Sequence, residues 1–275
     1  MAADMKQQYL QVDGINTFVL SAGSGEPLLL IHGASPGASS LINWKLNMAA
    51  LAAAGFTVFA YDQPGFGYTD NPADYSIEYR VRHAKALIER LQLDSYHVVG
   101  NSVGGYIAAR LALEDKRVKS FVTTTSGSLS PAGSAASQSL AQRHAADLRE
   151  YEPSLENMKR LTLGTLFNKA LVSEELVRER YEMSIGKNYE AQIARRTAAK
   201  QRPVYDELTH FGVKALLLWG NNDAGVSVER GIELFQRIPG AEFHLFDRCA
   251  HWVQWDQAER FNRLVSDFLR RPAAW

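Results

Sequence analysis

The sequence predicts an α/β fold in which a mostly parallel sheet carries helices on both faces and a helical cap is inserted between two strands. Short apolar runs of strand length alternate along the chain with segments whose apolar residues recur at helical spacing. Glycine-rich turns end several of these runs. The alternation stops between residues 127 and 205, where charge-rich helical patterns occur without a convincing strand.

The first part of the chain contains most of the predicted strands. QQYLQVDG and INTFVLSAG are separated by Asp13-Gly14, a dipeptide that predicts a hairpin. The strand patterns that follow are PLLLIHG (27–33), FTVFAYD (56–62), YHVVGN (96–101) and VKSFVTTTS (118–126). Helices are predicted near 44–54 and over 76–92 and 102–113, where apolar residues recur at helical spacing.

Alternation resumes after the charge-rich stretch. The remaining elements are VKALLLWG (213–220), a helix near 228–238, AEFHLFD (241–247) and a last helix near 256–270. We therefore predict a core domain of residues 1–126 and 206–275 and a helical cap domain of residues 127–205. Ligands bind at the carboxyl ends of the strands in open α/β sheets, so such a cap would cover the site.

Composition excludes several classes of partner. Lys plus Arg and Asp plus Glu number 30 each, so no excess charge favours nucleic acid or a membrane surface. No apolar run approaches the roughly 20 residues of a membrane span, and the first residues lack a signal-peptide pattern. The single cysteine, Cys249, excludes an internal disulfide and is expected to be a buried small residue. We expect a cytoplasmic protein that binds neither nucleic acid nor membrane; association into a homo-oligomer is left open.

The sharpest motif is Gly100-Asn101-Ser102-Val103-Gly104, which lies between a predicted strand and a predicted helix. It matches G-x-S-x-G, whose small residues allow a tight turn that presents the serine oxygen at the sheet edge. The N–H that follows the serine points from the helix N-terminus toward developing negative charge. We predict Ser102 as the nucleophile of a serine hydrolase with the α/β-hydrolase fold; an ordinary strand-to-helix turn is the alternative.

A nucleophilic serine needs a base, and in this fold the acid and then the histidine follow the serine along the chain. Asp223 is the only carboxylate between the strand at 213–220 and the next helix, and His251 follows the strand at 241–247. We predict that Asp223 holds the His251 tautomer and stabilises its imidazolium form. Other histidines are predicted to be surface or satisfied core residues: His83 and His144 on helices, His97 and His244 within strands.

The loop after the strand at 27–33 contains small residues in the sequence HGASPG (32–37). A second N–H is needed to bind the oxyanion, and Ala34 is the predicted donor beside Val103. His32 is predicted to be structural rather than a proton carrier. A phosphate-binding loop is the competing interpretation, but it fails because G-x-x-x-x-G-K-[ST] is absent.

Over nearly its whole length the sequence resembles the meta-cleavage product hydrolases, the carbon–carbon bond hydrolases of bacterial aromatic and sterol degradation. The most specific segments are HGASPGASSLINW (32–44), DQPGFGYTD (62–70), GNSVGG (100–105) and CAHWVQWDQAERFNRLVSDFL (249–269). The resemblance implies the following site: the triad Ser102, Asp223 and His251, oxyanion donors Ala34 and Val103, and substrate contacts from Asn43, Asn101, Trp252 and the lid arginine Arg180.

Two departures from the family pattern affect the expected pocket. This chain has H-G-A-S-P-G where the family often has H-G-G-G-P-G, and Val103 where the family often has methionine. Both positions act through backbone N–H groups, so we expect the chemistry to persist and the pocket shape to differ. Alternatives remain for three residues: Asn43 as a helix N-cap, Trp252 as a packing residue, and Arg180 on a solvated helix face.

The resemblance implies hydrolysis of the C5–C6 bond in 2-hydroxy-6-oxo-hexa-2,4-dienoates, with no metal or organic cofactor. The implied reaction begins with a proton shift to a keto tautomer, followed by nucleophilic attack on the 6-oxo carbon. Attack by Ser102 and attack by a water that His251 activates are both open. A carboxylesterase or lactonase on the same triad is the alternative enzyme, and a non-catalytic ligand receptor is the alternative outside enzymes. A haloalkane dehalogenase is disfavoured, since serine rather than aspartate stands at the nucleophile position.

Overall fold

The computed structural model describes residues 5–131, 133–199 and 201–272, and its strands form one eight-stranded sheet. The strands are β1 (Lys6–Val12), β2 (Ile15–Ala22), β3 (Glu26–Ile31), β4 (Phe56–Tyr61), β5 (Tyr96–Asn101), β6 (Val118–Thr124), β7 (Lys214–Gly220) and β8 (Glu242–Phe246). Their order is β1-β2-β4-β3-β5-β6-β7-β8. The β1–β2 and β2–β4 pairs are antiparallel, and every other pair is parallel. The predicted α/β-hydrolase fold is confirmed.

Helices cover both faces of the sheet. They are α1 (Ser40–Asn43), α2 (Met48–Ala53), α3 (Ile77–Arg90), α4 (Val103–Glu114), α5 (Ala135–Arg149), α6 (Leu155–Thr165), α7 (Glu174–Glu182), α8 (Lys187–Arg195), α9 (Val228–Arg237), α10 (Val253–Asp256) and α11 (Ala258–Arg270). Two 3₁₀ helices span Lys169–Leu171 and Tyr205–His210. The serines that precede α3, α5, α6 and α7 each accept a backbone N–H, which fixes where these helices begin.

The two faces of the sheet carry separate apolar cores. Leu29 and Ile31 of β3 pack in the core that includes residues of α3, α4 and α9. Leu28 and Leu30 pack in the opposite core, with residues of α2 and α11. Successive strand residues point to opposite faces, so a strand that is buried on both sides must be apolar throughout. This arrangement explains the continuous LLLI and ALLLW runs of the sequence.

One predicted helix is wrong in its bounds. Instead of a single helix near 44–54, the chain forms α1 and α2 on either side of a turn at 44–47. Asn47 at this turn donates its amide N–H to the Gln254 carbonyl (3.0 Å) and to Asn262 Oδ1 (2.9 Å). These partners lie near the C-terminus, and no local pattern shows them. The last helix is likewise preceded by the separate short helix α10.

The segment between β6 and β7 contains α5 to α8 and no strand within its described residues. Several contacts fasten it to the rest of the chain, among them the His251 N–H donating to the Thr165 carbonyl (3.1 Å), the pair of Lys45 with Glu179 (2.9 Å), and Asp256 accepting the Phe167 N–H (2.8 Å). Its separation as a cap domain over 127–205 stays a prediction. In the described part of the chain, no helix has the length and apolar character needed to cross a bilayer.

Candidate active site

Ser102 lies at the sharp turn between β5 and α4 and has a φ of 54° and a ψ of −122°. A positive φ is costly for a residue with a Cβ, so the surroundings must hold it. The Ser102 N–H donates to the Thr124 carbonyl (3.0 Å), and Ser126 Oγ donates to the Ser102 carbonyl (2.6 Å). These bonds to the end of β6 stabilise the strained turn that G-x-S-x-G predicts.

The glycines of the motif are required by close packing. A Cβ at Gly104 would collide with the carbonyl oxygen of Ile31, the last residue of β3. A Cβ at Gly100 would collide with the carbonyl oxygen of Gly104 in the first turn of α4. The helix that follows Ser102 can therefore approach the sheet closely only because both side chains are absent.

His251 and Asp223 meet at the carboxyl ends of β7 and β8. His251 Nδ1 lies 2.7 Å from Asp223 Oδ2, while Asp223 Oδ1 accepts the N–H groups of Gly225 (2.8 Å) and Val226 (3.1 Å). Burial alone would raise the pKa of Asp223, but the His251 charge and these hydrogen bonds outweigh it and lower the pKa. Asp223 is thus an anion placed to fix the His251 ring with Nδ1 protonated and Nε2 free.

Ser102 and His251 line one cavity of about 60 Å³, together with Gly33, Ala34, Ser35, Asn101, Val103, His144, Leu148, Leu161, Thr165 and Trp252. Ser102 Oγ and His251 do not hydrogen bond to each other within the described structure. Such contacts often tighten only when a substrate binds.

The two residues predicted to provide the oxyanion donors, Ala34 and Val103, both line this cavity. Val103 is the first residue of α4, and Ala34 lies in the loop after β3. Neither N–H donates a hydrogen bond within the described part of the chain. The loop is fixed by His32, which accepts the Gln63 N–H at Nε2 (3.0 Å) and bonds the Gly33 carbonyl through Nδ1 (2.6 Å). Complete burial lowers the pKa of His32 to about 3, so the ring is neutral and structural.

Arg180 lies behind the cavity wall, where it is completely buried. Its guanidinium donates to Thr162 Oγ1 (3.0 Å), the Pro36 carbonyl (3.1 Å) and Ser35 Oγ (3.3 Å), and stacks 4.7 Å above the Trp252 ring. The solvated-face alternative for this arginine is therefore wrong. Burial lowers the pKa of Arg180 to about 10, so the group is still a cation at neutral pH. Within the described residues no carboxylate pairs with it.

Asn43 and Asn101 are also buried, and their side-chain amides make fewer hydrogen bonds than they could. Asn43 ends α1, so its alternative role as an N-cap is wrong; Ser39 is the cap. Among the described residues, no hydrogen-bond partner is found for either amide atom of Asn43, for Asn101 Oδ1 or for Arg180 Nε. Buried polar atoms are nearly always satisfied, so these four atoms are available to hydrogen bond to a polar ligand. Asn101 and Trp252 line the cavity itself, whereas Asn43 and Arg180 lie outside its lining.

His144 lies in the candidate site, a position that the sequence did not reveal; it was predicted to be a surface or satisfied core histidine, and the structure places it beside His251. It lies on α5 with its ring centroid 5.6 Å from that of His251. It lines both the cavity at Ser102 and a cavity of about 620 Å³ that reaches Asp223. Burial, with the nearby His251, lowers the pKa of His144 to about 4, so a neutral imidazole faces the candidate base. Only tertiary packing brings these two histidines together.

The close contact between His144 and Gly225, two residues after Asp223, can be tested by adding a side chain at Gly225. A Cβ at Gly225 would lie 2.7 Å from Cγ of His144. We expect Gly225→Ala to lower the free energy of unfolding by about 1–3 kcal/mol, as overpacking does, and to reduce activity through Asp223. Urea unfolding measures the loss, and the double variant with His144→Ala should recover most of it. Gly212→Ala, where nothing lies within 4 Å of the added Cβ, is the matched control. Unchanged stability in Gly225→Ala would contradict the packing.

Comparison with known proteins places this geometry in a family. The family model described as alpha/beta hydrolase fold matches residues 26–258. The 2-hydroxy-6-oxononadienedioate/2-hydroxy-6-oxononatrienedioate hydrolase of Burkholderia vietnamiensis is 34% identical over 257 residues, covering 90% of this chain and 89% of that protein. The 2-hydroxy-6-oxo-6-phenylhexa-2,4-dienoate hydrolase of Burkholderia cepacia is 34% identical over 263 residues, covering 90% and 89%.

A solved structure agrees with these relatives. The meta-cleavage product hydrolase of Pseudomonas fluorescens superposes with a TM-score of 0.83 at 32% identity, covering 95% of this chain and 96% of that one. The chain belongs to the α/β-hydrolase family, and within it to the meta-cleavage product hydrolases.

Proposed function

We propose that this protein hydrolyses the C5–C6 bond of 2-hydroxy-6-oxo-hexa-2,4-dienoates, with Ser102, His251 and Asp223 as its triad. One observation supports this most strongly. Ser102 and the Asp223-bonded His251 share a cavity whose wall is backed by a buried cation, Arg180, and by unsatisfied amides. The triad accounts for nucleophilic attack on a carbonyl carbon. The Arg180 cation and the unsatisfied amides account for a substrate that carries a carboxylate.

The cleavage requires an electron sink, because carbon is a poor leaving group. In the proposed reaction a proton moves from the 2-hydroxy group to C5, which gives a keto tautomer. Ser102 Oγ then attacks the 6-oxo carbon as His251 Nε2 takes its proton, and the N–H groups of Ala34 and Val103 receive the oxyanion. When the C5–C6 bond breaks, its electron pair enters the keto system. Water finally releases the carboxylic acid from Ser102.

The dienoate end of the substrate needs a partner for its C1 carboxylate. Arg180 is the cation of the described residues closest to Ser35 and Trp252, both of which line the cavity. A guanidinium suits a carboxylate and its neighbouring oxygen because it donates two parallel hydrogen bonds. Asn43 and Asn101 have free amide atoms for the 2-oxygen function. We therefore propose Asn43, Asn101, Arg180 and Trp252 as the substrate-binding residues.

The decisive experiment is a panel of yellow dienoates with different 6-substituents, followed by loss of their colour. Hydrolysis of at least one of them much faster than of p-nitrophenyl esters would support the proposal. Faster turnover of simple esters or lactones would instead favour a carboxylesterase or lactonase on the same triad.

Arg180→Gln tests the carboxylate assignment. A hydrogen bond to a charged group contributes about 1.5–3 kcal/mol, so kcat/KM for dienoates should fall by roughly ten- to 150-fold. Hydrolysis of p-nitrophenyl acetate, which lacks the carboxylate, should be nearly unchanged. Arg178→Gln, an exposed position on the same helix, is the matched control. Equal losses on both substrates would mean that Arg180 supports only the packing around Trp252.

A further inference from the structure

A cavity of about 160 Å³, here called the arginine cavity, lies on the far side of Val103 from the cavity at Ser102. Its lining includes Arg80 of α3 and Arg195 at the end of α8, together with Tyr75 and Gln201. No carboxylate is among the described residues that line it. A cavity needs roughly 10–15 Å³ to hold one water, so the arginine cavity admits a small ion together with water.

The arginine cavity is separate from the space that the proposed substrate would fill. It shares only Val103 with the cavity at Ser102. The cavity of about 620 Å³ instead shares four lining residues with the cavity at Ser102, namely His144, Leu161, Thr165 and His251. The 6-substituent of a dienoate bound at Ser102 therefore extends into the larger cavity, and a ligand of the arginine cavity is a different molecule.

Arg80 is only 7% exposed, and little of its hydrogen-bonding capacity is used. Its Nη1 donates to Gln63 Oε1 (3.1 Å), and no partner for its buried Nε is found among the described residues. The Glu78 carboxylate, two residues away on α3, accepts the N–H of Arg202 (2.9 Å) and forms no ion pair with Arg80 in the described structure. Arg80 is thus a buried cation with free N–H groups and no counter-charge in contact.

Arg195 reaches the same cavity from the segment between β6 and β7. Its guanidinium stacks 3.8 Å above the Phe66 ring, and its Nη1 donates to the Gly65 carbonyl (2.9 Å). Arg80 lies over the same ring, at 5.7 Å. Like Arg80, Arg195 takes part in none of the ion pairs formed by the described residues. Two guanidinium groups without carboxylate partners therefore converge on one aromatic ring.

The two like charges are costly as they stand. Burial lowers the pKa of Arg80 to about 10, and burial together with the charge of Arg80 lowers that of Arg195 to about 9. Both groups are still cations at neutral pH. Charges removed from bulk water destabilise a protein unless an opposite charge accompanies them. Water in the cavity could accept their N–H groups but would leave both charges uncompensated, whereas an anion would satisfy the N–H groups and the charge together.

We propose that Arg80 and Arg195 form a binding site for a small free oxyanion with two negative charges, of the size of inorganic phosphate, in the arginine cavity. Two charges on the ligand match the two cations, and each guanidinium offers a planar set of donors to its oxygens. Stacking on Phe66 holds both cations beside the cavity. The site lies outside the catalytic and substrate-binding residues, so this inference goes beyond the proposed function and does not depend on it.

The wild-type protein allows a first test in which only the anion changes. Isothermal titration calorimetry with inorganic phosphate is compared with the same titration with acetate, at about pH 8 and constant ionic strength. Phosphate is then a dianion, and both arginines are still charged. We expect phosphate to bind saturably at one site per chain, with an affinity roughly tenfold or more above that of acetate, because the second charge pairs with the second guanidinium. Absence of saturable phosphate binding, or equal affinities for the two ions, would overturn the proposal.

Arg195→Gln is the second test, since Arg195 is less buried than Arg80 and the fold should tolerate its loss. We expect this variant to bind phosphate roughly tenfold or more weakly than the wild type. Arg196→Gln, at the exposed next position, removes the same charge from the surface and is the matched control, with unchanged affinity. Equal affinities in the two variants would mean that phosphate responds only to net charge and would overturn the proposal.

Arg80 is tested by a pair of variants that differ in charge. Arg80→Lys keeps the cation and should retain more phosphate affinity than Arg80→Gln. Arg180→Gln is included because Arg180 is another buried arginine without a carboxylate partner in the described structure, and it should leave phosphate binding unchanged. Loss of binding in Arg180→Gln, with normal binding in both Arg80 variants, would place the ion at Arg180 and overturn the proposal.

The same measurement in Ser102→Ala separates this inference from the proposed function. Phosphate should bind this variant as it binds the wild type, with or without a dienoate present, because the arginine cavity and the cavity at Ser102 hold different molecules. Phosphate binding by a protein that cleaves no dienoate would refute the proposed function and still support the anion site. Displacement of phosphate by a dienoate would show that the two ligands share one site and would overturn this inference, whatever the enzyme hydrolyses.

Discussion

Ser102→Ala is expected to lower C–C bond cleavage by roughly 10³-fold or more, as removal of a triad member does. The strained turn at Ser102 presents its oxygen to a cavity that is also lined by Ala34 and Val103, whose N–H groups make no hydrogen bond within the described residues. Without Oγ no acyl-enzyme can form, although the oxyanion donors and the proposed carboxylate-binding group are intact. Stopped-flow absorbance should therefore show that the bound dienoate is converted to the keto tautomer, which accumulates without being cleaved.

The control for this variant is that the turn between β5 and α4 keeps its conformation. Loss of Oγ removes none of the described backbone bonds that hold the turn, since these join the Ser102 N–H and carbonyl to Thr124 and Ser126. Tm should thus stay close to that of the wild type, and labelling by a fluorophosphonate should disappear. Near-normal cleavage by Ser102→Ala would refute the nucleophile assignment and favour attack by a water that His251 activates.

Local sequence patterns were enough to predict the sheet and the triad candidates. The central strands are runs whose apolar character follows from burial on both faces, as Leu28 to Ile31 show. Ser102 lies in a motif in which every glycine has a local steric reason. Asp223 could be selected because it was the only carboxylate between its strand and the next helix, and the structure brings it within 2.7 Å of His251.

Contacts between distant segments could not be predicted in this way. His144 reaches the triad only because α5 packs against the loop at Gly225. Arg80 and Arg195 meet over Phe66, although no motif joins the three residues. Asp256 resembles an ordinary residue at a helix end, yet it accepts N–H groups from Phe167, Asn168 and Ala250. Asp256 thereby joins the loop of His251 to the segment between β6 and β7. Such residues carry no periodic or motif signal, because their partners are set by the tertiary fold.

His251→Ala is expected to slow both proposed proton-transfer steps, with cleavage lowered by roughly 10³-fold or more. The ring of His251 is the one that Asp223 orients, and its Nε2 is free to take a proton from the 2-hydroxy group and then from Ser102. His144, the nearest other imidazole, is neutral and lacks a carboxylate partner in the described structure, so it should not replace His251. Stopped-flow spectra separate the steps, since the dienolate and the keto tautomer absorb at different wavelengths.

Measuring the rates of ketonisation and cleavage separately tests this prediction more stringently than measuring overall activity. If one base serves both, ketonisation and cleavage must slow together in His251→Ala, whereas Ser102→Ala should slow only cleavage. His210→Ala, at an exposed position at the end of the second 3₁₀ helix, should change neither step. Ketonisation at the wild-type rate with cleavage alone blocked would show that another group moves the first proton. Because His144 lines the same cavity, His144→Ala in that background would then identify whether the neighbouring imidazole is that group.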